Sequence, residues 1–152
     1  MTELTVLEGR GERVAQELTR KLAEDRGIAV LRAESPSEPV RGFADILVVT
    51  AGYEPKRDTA CRKIKCGILL VPGGTHVDFA EARSVVTYGM CPKNSITLSS
   101  ISDNGCVLAL QRELVTARGD ILDRQEFIMR GVGSTDHMLA TAGAILLAGE
   151  ML

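Results

Sequence analysis

The chain has 152 residues, a length that suits one domain with a core of its own. Its formal net charge of -2 argues against a general nucleic-acid-binding protein, which normally carries a basic face, so we expect no nucleic-acid partner. No apolar run approaches the roughly 20 residues that a membrane span needs, and the first residues do not resemble a secretion signal. We therefore expect a cytoplasmic protein without a membrane partner.

The four cysteines give no indication of a metal or redox site. They are Cys61, Cys66, Cys91 and Cys106. The gap between the first two matches neither a redox Cys-x-x-Cys pair nor a zinc-binding pair. We predict free thiols and no metal ligands, as is usual in a reducing compartment.

The first 89 residues alternate short apolar runs with segments of helix length. The apolar runs have no polar alternation, which indicates strands buried on both faces of a parallel sheet. Strands are predicted at 4–7, 28–31, 45–50, 67–71 and 84–88. Helices are predicted at 12–26, where Gly27 would end the helix, and as short segments at 54–65 and 77–83.

The later residues follow a different pattern, with longer and more polar runs at 96–101, 106–115 and 126–130. Asn104-Gly105 between the first two runs is a strong hairpin signal, so we predict an antiparallel three-stranded meander. A helix is then predicted from the cap candidates at 134–136 to about Leu147, with Gly149 ending it. This helix is rich in Ala and Gly and apolar nearly all round, which indicates deep burial or a subunit interface.

Together these elements predict a single α/β domain over residues 1–152. We expect three layers: a mostly parallel central sheet with helices on both faces, an antiparallel meander, and a C-terminal Ala-rich helix. The parallel part would cover 1–89, and the meander with the closing helix 90–152.

The first glycine turn is a candidate anion site. Gly9 and Gly11 follow the first predicted strand, and Arg10 and Arg13 flank the start of the first predicted helix. Backbone N–H groups that converge at a helix N-terminus bind anions. The alternative is an ordinary strand-to-helix turn in which glycine serves tight packing.

A second candidate is the segment Gly73, Gly74, Thr75, His76 and Asp78 after the fourth strand, together with the turn at 50–53 that begins with Thr50. Open α/β sheets place ligands at the carboxyl ends of their strands. The alternative is that Thr75 caps the following helix, with His76 and Asp78 in its first turn. His137, beside Asp136, is expected to have a role at a helix start rather than in catalysis. No catalytic residue is predicted.

The order of elements resembles the ATP-binding central domain of Mur ligases. The resemblance is carried by Val85-Val-Thr-Tyr-Gly89, the hairpin strands, Gly131-Val-Gly-Ser-Thr-Asp-His137 and the Ala-rich helix that ends at Gly149. Upstream, the run at 45–50 resembles the strand before the family's magnesium segment, and the run at 67–71 resembles another strand of that family. The resemblance implies an α/β fold and an ancestral nucleotide site.

The chain departs from this family at the residues that hold a triphosphate. The family's phosphate turn ends in Gly-Lys-Thr, where the lysine contacts phosphates and the hydroxyl contacts magnesium. Here Glu12 would repel phosphate and Val14 offers no oxygen. We also expect no counterpart of the family's substrate and amino-acid domains.

We therefore expect a stand-alone, degenerate relative that binds no cofactor, hydrolyses no ATP and acts as a homo-oligomer or with a protein partner. The alternative is a binding protein or enzyme for a small molecule, such as a nucleotide or nucleotide-sugar, that uses the strand-end loops.

Overall fold

A computed structural model of the chain describes residues 1–33, 43–54, 63–130 and 133–152. Its two described helices are α1 (Val14–Lys21) and α2 (Thr135–Leu147). Its described strands are β1 (Thr2–Leu7), β2 (Ile28–Ala33), β3 (Phe43–Val49), β4 (Ile64–Pro72), β5 (Ala80–Tyr88), β6 (Ile96–Ser102), β7 (Gly105–Leu110), β8 (Leu114–Val115), β9 (Ile121–Leu122) and β10 (Glu126–Met129).

Eight strands form one sheet in the order β10-β7-β6-β5-β4-β3-β1-β2. Neighbouring strands from β2 to β6 pair in parallel, whereas β7 is antiparallel to both β6 and β10. The short strands β8 and β9 pair with each other outside this sheet. The predicted α/β class with a mostly parallel sheet is confirmed.

Both described helices lie on the same face of the sheet. Their buried residues join one core cluster with strand residues such as Val6, Val48 and Leu70. A second cluster contains the residues that alternate with these, such as Leu7, Val49 and Leu69. Because the described helices pack only with the first cluster, helices on both faces remain a prediction.

The predicted short helix at 77–83 is wrong, because this segment leads into β5 instead. Ile64 pairs with Ala80 and Pro72 pairs with Tyr88, so β4 and β5 are parallel along their whole lengths. Residues 73–79 must therefore span the roughly 26 Å from the end of β4 back to the start of β5. At about 3.3 Å per residue, they can do so only if they are almost fully extended. A helix, with about 1.5 Å per residue, is too short for this return.

The other predicted elements of the first half differ mainly at their ends. α1 is shorter than the predicted 12–26, since the chain leaves the helix at Leu22 and turns at Gly27, whose N–H donates to Asp25 Oδ1 at 2.7 Å. The predicted helix at 54–65 falls largely outside the described residues, and its last two residues belong to β4.

The second half follows the predicted meander. β6 and β7 form a hairpin in which Ser102 pairs with Gly105, and β10 completes the antiparallel set. The predicted run at 106–115 is interrupted, because its end forms β8 rather than continuing β7. α2 begins and ends as predicted, with the Ser134 hydroxyl accepting from the His137 N–H at 3.2 Å. Across the described parts of the chain, neither helix has the length and apolar character needed to cross a membrane.

Candidate functional site

The sheet has a reversal of strand order between β1 and β3. The chain goes from β1 to β2 on one side, and from β3 to β4 on the other. In open α/β sheets, the crevice at the carboxyl ends of two such strands is the usual ligand site. The turn that contains Gly9 and the turn that contains Thr50 meet at this crevice.

A carboxylate of the chain itself lies in this crevice. Glu12 Oε1 accepts hydrogen bonds from the Gly9 N–H at 2.6 Å and from the Thr50 hydroxyl. Glu12 Oε2 accepts from the Gly52 N–H at 3.2 Å. One anionic side chain thus engages donors from both turns, in the way that converging backbone N–H groups at a helix N-terminus bind a phosphate.

The two turns approach each other too closely for any side chain between them. A Cβ atom on Gly9 would overlap the carbonyl oxygen of Gly52, and it would lie 2.9 Å from the carbonyl carbon. A Cβ atom on Gly52 would lie 2.7 Å from Glu12 Cδ. Glycine at both positions therefore lets the Glu12 carboxylate seat against the backbone. Gly11 has a φ of 86°, a left-handed conformation that suits the tight turn before α1.

A second carboxylate occupies the start of α1. Glu8 is 2% exposed, and its Oε2 accepts from the N–H groups of Val14 at 2.8 Å and Ala15 at 3.4 Å. Its Oε1 accepts from Arg32 Nε at 2.7 Å. The residue at the helix N-cap, Arg13, provides no side-chain cap, so Glu8 satisfies helix donors that would otherwise be open.

The repulsion of phosphate by Glu12 was predicted from the sequence, whereas the role of Glu8 was not predicted. The sequence pattern that could have identified Glu8 is a glutamate directly after an apolar strand and before a helix that lacks a Ser, Thr, Asp or Asn cap. Such a residue is buried only when it is paired. Arg32, at the far end of the neighbouring strand β2, supplies that pairing.

These two carboxylates decide what the glycine turn can bind. The donors of Gly9, Thr50 and Gly52, and the first N–H groups of α1, already point at oxygens of the protein. A free anion would have to displace Glu12 and then remain beside the negative charge of Glu8. Arg13 is exposed beside this turn, next to a shallow depression that His137 also lines.

The second predicted site is only partly at this edge of the sheet. Gly73 and Gly74 form a turn there, with the Gly73 N–H donating to the Tyr88 carbonyl at 2.9 Å and the Thr75 N–H donating to the Pro72 carbonyl at 3.2 Å. Thr75 and His76 are exposed, and the extended segment 73–79 places Asp78 towards the opposite end of β4. The helix that Thr75 would cap is absent.

Two further polar residues support the edge of the sheet and were not predicted. The Tyr88 hydroxyl donates to the Val49 carbonyl at 2.9 Å and links the ends of β5 and β3. Burial raises the pKa of Tyr88 well above its ordinary value, so it stays a neutral donor. Asn94 is buried, and its side-chain amide lies against Gly73 and Gly89, where a Cβ atom at Gly89 would approach Asn94 Nδ2 to 2.8 Å.

An open groove lies on the helical face of the sheet, with a volume of about 1160 Å³. α1, α2, the β6–β7 hairpin and β10 line it, and the buried Thr141 hydroxyl at its wall has no hydrogen-bond partner among the residues that the structure describes. Within the described ranges, no three His, Cys, Asp or Glu side chains are grouped so that they would hold a metal ion.

Comparisons with protein-family models, curated proteins and solved structures find no match to this chain. Inferences about its function therefore depend on the geometry of the chain itself.

Proposed function

We propose that this chain is a non-catalytic domain of nucleotide-binding architecture that acts by associating with itself or with a protein partner. The observation that carries the proposal is the Glu12 carboxylate, which accepts hydrogen bonds from Gly9, Thr50 and Gly52 at the reversal of strand order. A site that contains its own anion has no need of a nucleotide to complete it. Neither ATP hydrolysis nor a bound cofactor is part of this function.

The covalent attachment of Glu12 to the same turn supports the proposal that its carboxylate, rather than a free ligand, occupies the donors of this turn. Glu12 lies three residues from Gly9, so its carboxylate has a high effective concentration at these donors, and a free ligand has to compete with it. The turn also lacks the lysine that would offset the charge of a triphosphate, and Val14 stands where a magnesium-binding hydroxyl would be needed. The proposed relationship to the Mur ligase central domain is based on the order of elements and the short motifs, and these departures make the proposed relative a degenerate one. A cytoplasmic location belongs to the same proposal.

Self-association is supported by the apolar surface that the described residues leave uncovered. Val85 in the central strand β5 is exposed, as are Ile101 in β6 and Ile128 in β10. Sedimentation equilibrium at micromolar concentration tests this part directly. We expect a dimer or higher oligomer, and a monomer at every concentration would contradict it.

A second candidate function is the binding of a small molecule, such as a nucleotide or nucleotide-sugar, at the strand-end loops. The observation that favours it is the turn at Gly73 and Gly74, which lies at the same sheet edge as Thr50 and beside the buried Asn94 amide. His76 follows this turn and is exposed.

Thermal-shift screening against nucleotides and UDP-sugars separates the two candidates. A ligand at a hundredfold excess over its Kd stabilises a protein by about 2.7 kcal/mol, a shift that such screening detects easily. A shift that His76→Ala removes and that Asp103→Ala, at the distant β6–β7 turn, preserves would favour the small-molecule function. No shift with any ligand would leave the association function as the better account.

A further inference from the structure

Strand β10 forms one edge of the eight-stranded sheet. The N–H and C=O groups of successive residues in β10 point alternately towards β7 and away from it, because paired residues in an antiparallel ladder alternate between hydrogen-bonded and non-hydrogen-bonded positions. The Leu110 N–H donates to the Gln125 carbonyl at 2.9 Å, and the register continues with Phe127 opposite Leu108. Residues 125, 127 and 129 therefore bond towards β7, and the N–H and C=O groups of Glu126, Ile128 and Arg130 point away from the sheet.

The side chains of these three outward-bonding residues share one face, because side chains alternate along a strand. Ile128 is 84% exposed, and both Glu126 and Arg130 are exposed. Neither charged residue has an ion-pair partner among the described residues. Phe127 and Met129, on the opposite face, are half-buried and pack against the main core.

This edge is complementary to a second copy of itself in an antiparallel arrangement. Outward-bonding residues must pair with each other, so the register with Ile128 opposite its own copy places Glu126 opposite Arg130 at both ends. Opposite charges directly across two strands stabilise their pairing. Shifting the strands by two residues in one direction brings Arg124 opposite Arg130, which is repulsive, and shifting them in the other direction brings Ile128 opposite Arg130 and removes the Glu126–Arg130 pairing.

We propose that two copies of this chain join through their β10 edges in the register with Ile128 at the twofold axis. The two sheets become one continuous sheet, held by backbone hydrogen bonds from Glu126, Ile128 and Arg130 and by two Glu126–Arg130 pairs. The half-buried Phe127 and Met129 of the two copies then lie opposite each other on the helical face. This inference rests on the proposed self-association and names the surface that performs it.

Charge-reversal variants test the interface and its register together. Glu126→Arg alone places Arg opposite Arg130, and Arg130→Glu alone places Glu opposite Glu126. Sedimentation equilibrium should show dimerisation weakened by about 10- to 100-fold in each variant, since both ends of the twofold interface become repulsive. An equimolar mixture of the two variants should restore a dimer, because every facing pair is then opposite in sign. The double variant should also dimerise like the wild type.

Glu113→Arg is the matched control, since it makes the same charge change at an exposed residue outside β10. It should leave dimerisation unchanged, and circular dichroism should show all variants folded. A wild-type dimer that none of the β10 changes weakens would overturn the edge inference and leave self-association standing. A wild-type monomer would overturn both. Two weakened single variants whose mixture stays monomeric would show that the register is wrong.

Discussion

The Glu12 carboxylate accepts a hydrogen bond from the Thr50 hydroxyl across the crevice between the ends of β1 and β3. The two residues are 38 positions apart in the chain, and they meet where parallel sheets of this kind hold their ligands. The glycine turn after β1 thus directs a backbone donor, the Gly9 N–H, at a carboxylate of the protein itself. The Glu12 carboxylate joins the turn at Gly9 to the turn at Thr50, and the Glu8 carboxylate accepts hydrogen bonds from the first N–H groups of α1.

Removing the Glu8 carboxylate should destabilise the fold markedly. Glu8→Ala removes the side-chain acceptor of the Val14 and Ala15 N–H groups at the start of α1, and it removes the buried carboxylate to which Arg32 Nε donates. Loss of a buried charged acceptor costs about 2–3 kcal/mol, to be measured as a lower midpoint of urea unfolding.

Glu17→Ala is the control for Glu8→Ala, because the ion pairs of Glu17 with described residues, Arg20 and Lys21, lie at the surface. Its cost should stay within about 0.5 kcal/mol. Equal costs for both substitutions would show that Glu8 is no more than a surface charge.

The close approach of Gly9 to Gly52 should make Gly9 intolerant of any side chain. Gly9→Ala places a methyl group against the backbone of Gly52, which cannot move without displacing Glu12. We expect a loss of about 2–3 kcal/mol in the free energy of unfolding.

Gly27→Ala provides the comparison, since within the described parts of the chain the only near neighbour of its new methyl group is the Asp25 side chain at 3.1 Å. Its effect should lie within about 1 kcal/mol of the wild type, in either direction. A Gly9→Ala protein as stable as the wild type would mean that the two turns are not held together as described.

Cysteine reactivity should distinguish the surface from the core. Cys66 and Cys106 are buried, whereas Cys91 is exposed. Burial raises the pKa of the Cys66 thiol to about 11, so its thiolate is scarce at neutral pH. Iodoacetamide at pH 8 should modify Cys91 quickly and the two buried thiols only after unfolding, as read by peptide mass spectrometry. Fast modification of Cys66 in the folded protein would contradict its burial.

The same shift predicts a loss of stability in alkali. An unfolded chain ionises Cys66 near its ordinary pKa of 9.0, whereas the folded chain holds the proton until about pH 11. The Cys66 contribution to the free energy of unfolding is therefore complete below pH 9 and falls as pH rises towards 11. The wild type should lose stability over this window more steeply than Cys66→Ala, and parallel curves would count against the shift.

The parallel strands were predictable because their residues are apolar on both faces, and α2 was predictable from its cap at Ser134. The segment around 77–83 misled because its composition suits a helix. Its residues Ala80 to Arg83 in fact alternate small and charged side chains, which is the period of a strand. The extended conformation of this segment is determined by the long-range register of β4 and β5, which no local sequence pattern indicates.

Less of the candidate site was predictable. The sequence indicated that Glu12 opposes phosphate, but its hydrogen bonds to Thr50 and Gly52 depend on the meeting of β1 and β3. Glu8 belongs to no motif, and its role arises only when β2 places Arg32 beside it. The site is assembled from residues far apart in the chain, so spacing alone did not reveal it.

Isothermal titration calorimetry with Mg-ATP and with inorganic phosphate, on the wild type and on Glu12→Ala, tests the self-occupied turn most directly. We predict no binding heat with the wild type, and phosphate binding by Glu12→Ala as the donors of Gly9, Thr50 and Gly52 are released. Micromolar binding of Mg-ATP by the wild type, weakened rather than strengthened by changes in this turn, would contradict the account.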